Sequence, residues 1–165
     1  MKPASKAHAA RPASAPPIDA PQRPRILIAD DNAQGVELLE AYLSDNDCDI
    51  ATAADGEETL RKVGQWHPDL ILLDIMMPKI SGFEVCKRLR ADPATQEIGV
   101  LMITALDQQS DIDRAVEAGT DDFLTKPINK SELLLRVRSV LKSRINKRKL
   151  DRALAYIEAV ERGEK

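Results

Sequence analysis

Short apolar runs alternate along this chain with longer amphipathic stretches. The apolar runs predict β-strands at residues 25–29, 49–53, 70–73, 99–103 and 122–125. Apolar side chains recur at helical spacing in the intervening stretches, which predict helices at 33–43, 55–66, 82–90 and 110–118 and from Ser131 onward. Five strands alternating with five helices predict one α/β domain, a doubly wound, mostly parallel sheet with helices on both faces.

Breaker and capping residues agree with these helix limits. His67-Pro68 ends the second predicted helix, Asp92-Pro93 the third and Gly119 the fourth. Ser131 has the side chain of a helix N-cap and is predicted to begin the last helix.

The last predicted helix is longer than a single α/β domain requires. Residues 136–149 hold seven Lys or Arg and no acid. We interpret them as a solvated helix face, because the aromatic and glycine residues typical of nucleic-acid binding are absent. Apolar residues then recur at helical spacing (Leu150, Ala153, Leu154, Ile157 and Val160). The helical spacing of apolar residues does not continue cleanly through residues 143–149, so we expect a break, a bend or a linker there.

Three segments are therefore expected. Residues 1–24, rich in Ala and Pro, bury too little apolar surface to order and are predicted to be a disordered leader; a docking or targeting arm is the alternative. Residues 25–142 form the domain, and 143–165 a helical C-terminal extension or linker. About 20 residues after Leu141 cannot build an effector domain, so the chain either acts alone or is a fragment of a longer regulator.

Composition narrows the class of protein further. Of 165 residues, 43% are hydrophobic but only 3% aromatic, so the core must be aliphatic, as suits a parallel sheet. The net charge of -3 gives no argument for nucleic-acid or membrane partners. Cys48 and Cys86 have no metal-ligand spacing and are expected to be reduced, which favours a cytoplasmic location. No run approaches the roughly 20 apolar residues of a membrane span.

Polar side chains follow several of the predicted strands. Asp30-Asp31 follows the first strand and Asp74 the third, while a hydroxyl (Thr104) and an amine (Lys126) follow the fourth and fifth. Because ligand sites of open α/β sheets form at the carboxyl ends of the strands, we expect these groups to converge.

The acids suggest a particular chemistry. Two carboxylates about 4 Å apart repel by roughly 4 kcal/mol at an effective dielectric of 20, so three need a cation or shifted pKa values. Oxygen ligands favour Mg²⁺. Asp74 could also accept a phosphoryl group, with charge neutralised by the metal and Lys126 and a hydrogen bond from Thr104. Taken one at a time, these residues have equally good structural explanations. An Asp pair before a helix is often an N-cap, a Thr is common at a strand end, and a surface Lys is usually solvated.

Jointly, four motifs resemble the receiver domain of bacterial two-component response regulators. They are Ala29-Asp30-Asp31, Leu73-Asp74-Ile75-Met76-Met77-Pro78, Ile103-Thr104-Ala105 and Lys126-Pro127, in this order at strand ends. The resemblance covers residues 25–141, and the string from Asp122 to Ile128 is similar to receivers linked to cyclic-dinucleotide regulators. It implies a flavodoxin-like fold.

The resemblance also implies roles for these residues. Asp74 would be the phosphoacceptor, and Mg²⁺ would be bound by Asp31, Asp74 and the Met76 main-chain carbonyl, with Asp30 near the metal or acting through water. Thr104 and Lys126 would sense the phosphoryl group, Phe123 would be the switch aromatic, and the Lys126-Pro127 bond would be cis.

The implied partners are a histidine kinase or phosphotransfer protein and a downstream effector, and the last helices could form a homodimer. Two other functions remain open. An Asp-nucleophile phosphatase of the haloacid-dehalogenase type would need a second Asp two residues after the nucleophile, where this chain has Met76. A phosphorylation-independent interaction module is the other alternative.

Overall fold

The computed structural model of the protein describes residues 23–105 and 109–163. The predicted leader lies outside these ranges except for Arg23 and Pro24. The strands are β1 (Arg25–Ala29), β2 (Asp49–Ala53), β3 (Leu70–Leu73), β4 (Gly99–Thr104) and β5 (Asp122–Thr125). The helices are α1 (Ala33–Leu43), α2 (Gly56–Trp66), α3 (Gly82–Ala91), α4 (Gln109–Ala118) and α5 (Lys130–Glu161).

All five strands run parallel in one sheet, in the order β2-β1-β3-β4-β5. Alternate residues of β1 point to opposite faces, Leu27 into one core cluster and Ile28 into the other. One cluster collects side chains from α2, α3 and α4, and the other from α1 and α5. This arrangement confirms the predicted doubly wound, flavodoxin-like sheet with helices on both faces.

Apart from Phe83, the buried hydrophobic side chains of the described residues are not aromatic, as the scarcity of aromatic residues predicted. Every residue of β3 is buried, and so is every residue of β4. Burying a side chain of the Leu or Ile type contributes about 1.5–3 kcal/mol, so the two central strands anchor the sheet. Their carboxyl ends are consequently rigid points from which polar side chains can be presented.

The N-cap of α5 is Asn129, which corrects the prediction of Ser131. The backbone of Asn129 is extended, and its side chain accepts a hydrogen bond from the Glu132 amide at 3.1 Å. Ser131 therefore lies inside the first turn. Both residue types cap helices well, and their order in the sequence does not reveal which one adopts the extended backbone.

Helix α5 is continuous over 32 residues, so the predicted break in the helix at 143–149 is wrong. This stretch lacks Gly and Pro, and its basic side chains contact the domain through ion pairs instead of apolar packing. Arg144 pairs with Asp121, and Arg148 lies 3.5 Å from Asp69. Among the described helices, none is both long and apolar enough to cross a bilayer.

Candidate functional site

Three carboxylates meet at the carboxyl edge of the sheet. Asp30 and Asp31 follow β1, and Asp74 follows β3, which pairs with β1 up to Ala29 and Leu73. The Asp74 amide donates to the Ala29 carbonyl at 2.9 Å, which keeps the two strand ends side by side. One oxygen from each of the three carboxylates lies within 4.8 Å of the others. The predicted convergence is therefore present in the molecule.

The three acids differ in exposure. Asp30 and Asp74 are buried, with 4% and 8% of their surface accessible, whereas Asp31 is exposed. The cluster is thus shielded from solvent at Asp30 and Asp74 and open to solvent at Asp31. A ligand or ion can enter from the side of Asp31 and reach the carboxylate of Asp74 at the base.

Lys126 places its ammonium against the two buried acids. Its Nζ donates to Asp74 Oδ2 at 2.9 Å and to Asp30 Oδ2 at 3.2 Å. Burial alone would lower the pKa of Lys126, but its hydrogen bond to Asp74 and the negative charges of Asp74 and Asp30 outweigh that effect. The pKa of Lys126 is therefore raised, and the side chain is a permanent cation at neutral pH.

Burial raises the pKa of Asp74 above its ordinary value. The hydrogen bonds from Lys126 and from the Met76 amide, at 3.0 Å to Oδ1, act in the opposite direction, while the charge of Asp30 adds to the increase. The ionised form of Asp74 is thus less favoured in this pocket than in water. A second cation at the cluster would relieve that cost.

Thr104, Phe123 and Pro127 lie around Lys126. Thr104 ends β4, is 1% exposed, and accepts a hydrogen bond from the Lys126 amide at 2.8 Å through its carbonyl. Phe123 stands opposite Met102 in the sheet and is half-buried against the core on the α3 and α4 side. The Lys126-Pro127 peptide bond is cis.

Met76 lies in the loop between β3 and α3. Its amide is bonded to the Asp74 carboxylate, and its side chain is 64% exposed. Gly82, the first residue of α3, donates its amide to the Ile75 carbonyl at 2.8 Å and so closes this loop into a ring. The main chain of Met76 is accordingly fixed beside the acids.

The sequence did not predict that the β2–α2 turn contacts this loop. Asp55 caps α2 and also faces Lys79 of the loop, with 3.4 Å between Oδ2 and Nζ. Gly56 lies against the backbone of Ile80. The Asp55-x-x-Glu58 capping pattern and the basic residue at position 79 were visible signals, but neither indicates a contact across this sequence separation.

The residues present fit a magnesium ion. Asp30 and Asp74 pair with the Lys126 ammonium, and among the described residues no second cation is paired with the three carboxylates. The cluster therefore carries excess negative charge, and its oxygens are the ligands that hard divalent cations prefer. Its open side leaves room for water and phosphate oxygens, which Mg²⁺ usually retains in its coordination sphere.

A family model described as the response regulator receiver domain matches residues 26–138. The chain therefore belongs to the receiver domains of response regulators, the signalling switches of two-component systems. Receiver domains generally bind Mg²⁺ in an acidic pocket, and the cluster of Asp30, Asp31 and Asp74 is consistent with such binding.

Several characterised proteins are similar to it. Response regulator PleD of Caulobacter vibrioides is 46% identical over 121 residues, which are 73% of this chain and 27% of PleD. The DNA-binding dual master transcriptional regulator RpaA of Synechocystis is 45% identical over 72% of this chain and 49% of RpaA. The receiver domain of Francisella response regulator 1452 superposes with a TM-score of 0.68 at 31% identity, covering 73% of this chain and 98% of that domain.

The chain spans between about a quarter and a half of the length of these curated relatives. The similarity therefore concerns their receiver part. It identifies the class of this domain without identifying the output that the domain controls.

Proposed function

We propose that Asp74 is the phosphoacceptor of this receiver domain. A carboxylate oxygen of Asp74 attacks the phosphorus of a phosphohistidine; the new O–P bond forms as the P–N bond breaks, and the departing imidazole recovers a proton. The observation that carries the proposal is the placement of Asp74, which is buried, paired with Lys126 at 2.9 Å, and grouped with two further carboxylates.

The other residues neutralise and orient charge. Asp31, Asp74 and the Met76 carbonyl would hold Mg²⁺, with Asp30 beside the ion or bonded to its water. When bound, the metal supplies positive charge to the oxygens of the transferring phosphoryl group. Lys126 already faces the acceptor and offers a second positive charge to the same oxygens.

The switch is proposed to run through Thr104 and Phe123. A phosphoryl group on Asp74 would draw the Thr104 hydroxyl inward, and the half-buried Phe123 on the neighbouring strand would change rotamer. The surface formed by α4, β5 and α5 would then change shape, as a shift in population between two conformers. The output is a changed affinity for partners.

The proposed partners follow from this chemistry. A histidine kinase or a phosphotransfer protein would supply the phosphoryl group, and a downstream effector would recognise the switched surface. We further propose that residues 25–142 form the receiver proper and that the chain from 143 onward is its helical extension.

We also propose that the domain is a switch with slow self-dephosphorylation and no catalytic turnover of other substrates. A phosphatase of the haloacid-dehalogenase type needs a second acid two residues after its nucleophile, and Met76 occupies that position. A purely phosphorylation-independent module would not need the half-buried ammonium of Lys126 and the acids that surround Asp74.

Phosphoryl transfer tests the assignment directly. The protein is incubated with a small phosphodonor and Mg²⁺, and intact-mass spectrometry counts the phosphoryl groups gained. We expect one group on the wild type and none on Asp74→Asn, while Asp69→Asn at the opposite edge of the sheet behaves as wild type. Phosphorylation of Asp74→Asn to the wild-type level would contradict the proposal.

Homodimer formation through the last helices is a separate proposal. Leu150, Leu154, Ile157 and Val160 are all about half exposed on the part of α5 that extends beyond the domain. Burial of these side chains against a second copy would remove apolar surface from water. Analytical ultracentrifugation should detect a dimer that Ile157→Lys weakens; a monomer at all concentrations, with and without beryllofluoride, would contradict it.

A further inference from the structure

The turn between β2 and α2 lies against the loop that carries Met76, although it contributes no side chain to the acidic cluster. Gly56, the first residue of α2, packs on the backbone of Ile80. A Cβ atom at position 56 would lie 2.3 Å from the Ile80 carbonyl oxygen and 2.6 Å from its Cβ. Both distances are far below van der Waals contact, so any side chain at position 56 must displace the loop or the helix.

The loop transmits such a displacement to the site. The Ile80 amide donates to the Pro78 carbonyl at 2.9 Å, and the Gly82 amide donates to the Ile75 carbonyl at 2.8 Å. These two bonds make residues 75–82 one closed ring. A displacement of Ile80 therefore moves the main chain of Met76, which lies inside this ring, one residue after Ile75.

An ion pair holds the same contact from the other side. Lys79 lies 3.4 Å from Asp55 and 3.6 Å from Glu57, both at the N-terminus of α2. Lys79 has a φ of 69°, which is costly for a side chain with a Cβ, and the pair with Asp55 offsets that cost. The turn is also linked to the end of β1, because the Ala53 carbonyl at the end of β2 accepts a hydrogen bond from the Asp30 amide at 3.0 Å.

We propose that Gly56 and the Asp55–Lys79 pair are positioning residues for the Mg²⁺ site. The close approach at Gly56 sets how far the loop sits from the cluster, and the ion pair keeps it there, so that the Met76 carbonyl and the Asp74 carboxylate face one ion together. This inference rests on the proposed function, because it assumes that the loop contributes to metal binding.

Two variants and two controls test this arrangement. Gly56→Ala adds the colliding Cβ atom, and Lys79→Met removes the ion pair without adding bulk. Gly64→Ala is the matched control in the same helix, because a Cβ at position 64 meets nothing within 4 Å. Arg88→Met removes an exposed ion pair of the same kind, between Arg88 and Glu84 within α3.

Titration calorimetry measures Mg²⁺ affinity for each protein. We expect Gly56→Ala to raise the Kd for Mg²⁺ about 10-fold, the order found for residues that support metal ligands. Lys79→Met should raise it about threefold, in keeping with a partly exposed pair. Both controls should keep the wild-type Kd. At saturating Mg²⁺, the initial rate of phosphorylation from a small phosphodonor should recover toward wild type in both variants.

The outcomes separate this inference from the proposed function. A wild type that binds Mg²⁺ while Gly56→Ala and Lys79→Met bind it equally well overturns the positioning role and leaves the proposed function standing. A wild type that does not bind Mg²⁺ overturns both. Equal losses in Gly64→Ala and Gly56→Ala would assign the effect to helix α2 as a whole and would also overturn the positioning role.

Discussion

Carboxylates cluster at both edges of the sheet, but their charges are balanced differently. At the carboxyl edge, Asp30 and Asp74 share Lys126, and Asp31 adds a third carboxylate beside them. At the opposite edge, Asp121 pairs with Arg90 and Arg144, Glu97 pairs with Lys147 and Arg144, and Asp69 pairs with Arg148.

This difference separates a binding site from a structural network. Neutralised acids at the amino edge attach α5 to the domain and need no further cation. The excess negative charge at the carboxyl edge has no such partner among the described residues, so it can attract a metal ion and a phosphoryl donor. The charge balance around a carboxylate, more than its residue type, therefore indicates its function.

The largest expected effect is on metal affinity, which should depend on one edge alone. Asp31→Asn removes one negative charge from the acidic cluster and should therefore raise the Kd for Mg²⁺ about 100-fold. Each tenfold change in Kd corresponds to about 1.4 kcal/mol of binding free energy. Asp121→Asn, at the opposite edge, should keep the wild-type Kd in the same titration. Equal losses in both variants would mean that the two edges do not differ as described.

The next effect is on the free energy of unfolding, which Asp121→Asn should lower more than Asp31→Asn does. Asp121 accepts hydrogen bonds from the Arg90 guanidinium at 2.9 Å and from the partly buried Val100 amide at 2.8 Å. Asp121→Asn should therefore lower the free energy of unfolding by about 2 kcal/mol, as for a charged hydrogen bond. Urea denaturation without Mg²⁺ measures this change, and Asp31→Asn should leave the midpoint unchanged or higher. A stable Asp121→Asn would refute the structural role of that network.

Magnesium itself should stabilise the fold through the carboxyl edge. At a concentration ten times its Kd, the ion should add about 1.4 kcal/mol to the free energy of unfolding, provided that only the folded state binds it. Thermal unfolding, followed by circular dichroism, should show a higher Tm with Mg²⁺ for the wild type and for Asp121→Asn. The same increase in Asp31→Asn would place the bound ion elsewhere.

The smallest effect is a pH dependence at Asp74. Burial raises its pKa above the ordinary 3.8, so ionisation of the carboxyl destabilises the folded state. Without Mg²⁺, Asp74→Asn should therefore be more stable than the wild type at neutral pH. The advantage should shrink as the pH falls through the raised pKa and vanish below 3.8. An advantage that is constant across this range would exclude the charge as its cause.

Most of the fold and the cluster could be predicted because they depend on local patterns. Apolar runs fixed the strands, and in a parallel sheet the residue after each strand must lie at one edge. Asp30, Asp74 and Lys126 were therefore found from position alone.

The features that were wrong or missed depend on contacts between distant residues. The apolar phase predicted a break before Lys149, but Arg144 and Arg148 reach acids at the amino edge that sequence order does not place nearby. Similarly, the contact between Gly56 and Ile80 arises from how α2 and α3 pack, which no local spacing encodes. Ser131 was predicted as the N-cap of the last helix, whereas Asn129 is the cap; both residue types cap helices well, so residue type alone does not distinguish them.

The continuity of α5 gives the domain a rigid lever. Ion pairs fasten the helix at Arg144, Lys147 and Arg148, and the remaining turns to Glu161 extend about 20 Å farther at 1.5 Å per residue. A tilt of about 10° at the fastened end would carry the far tip sideways by about 3.5 Å over that length. A change too small to alter the sheet could thus become a displacement that a neighbouring molecule can sense.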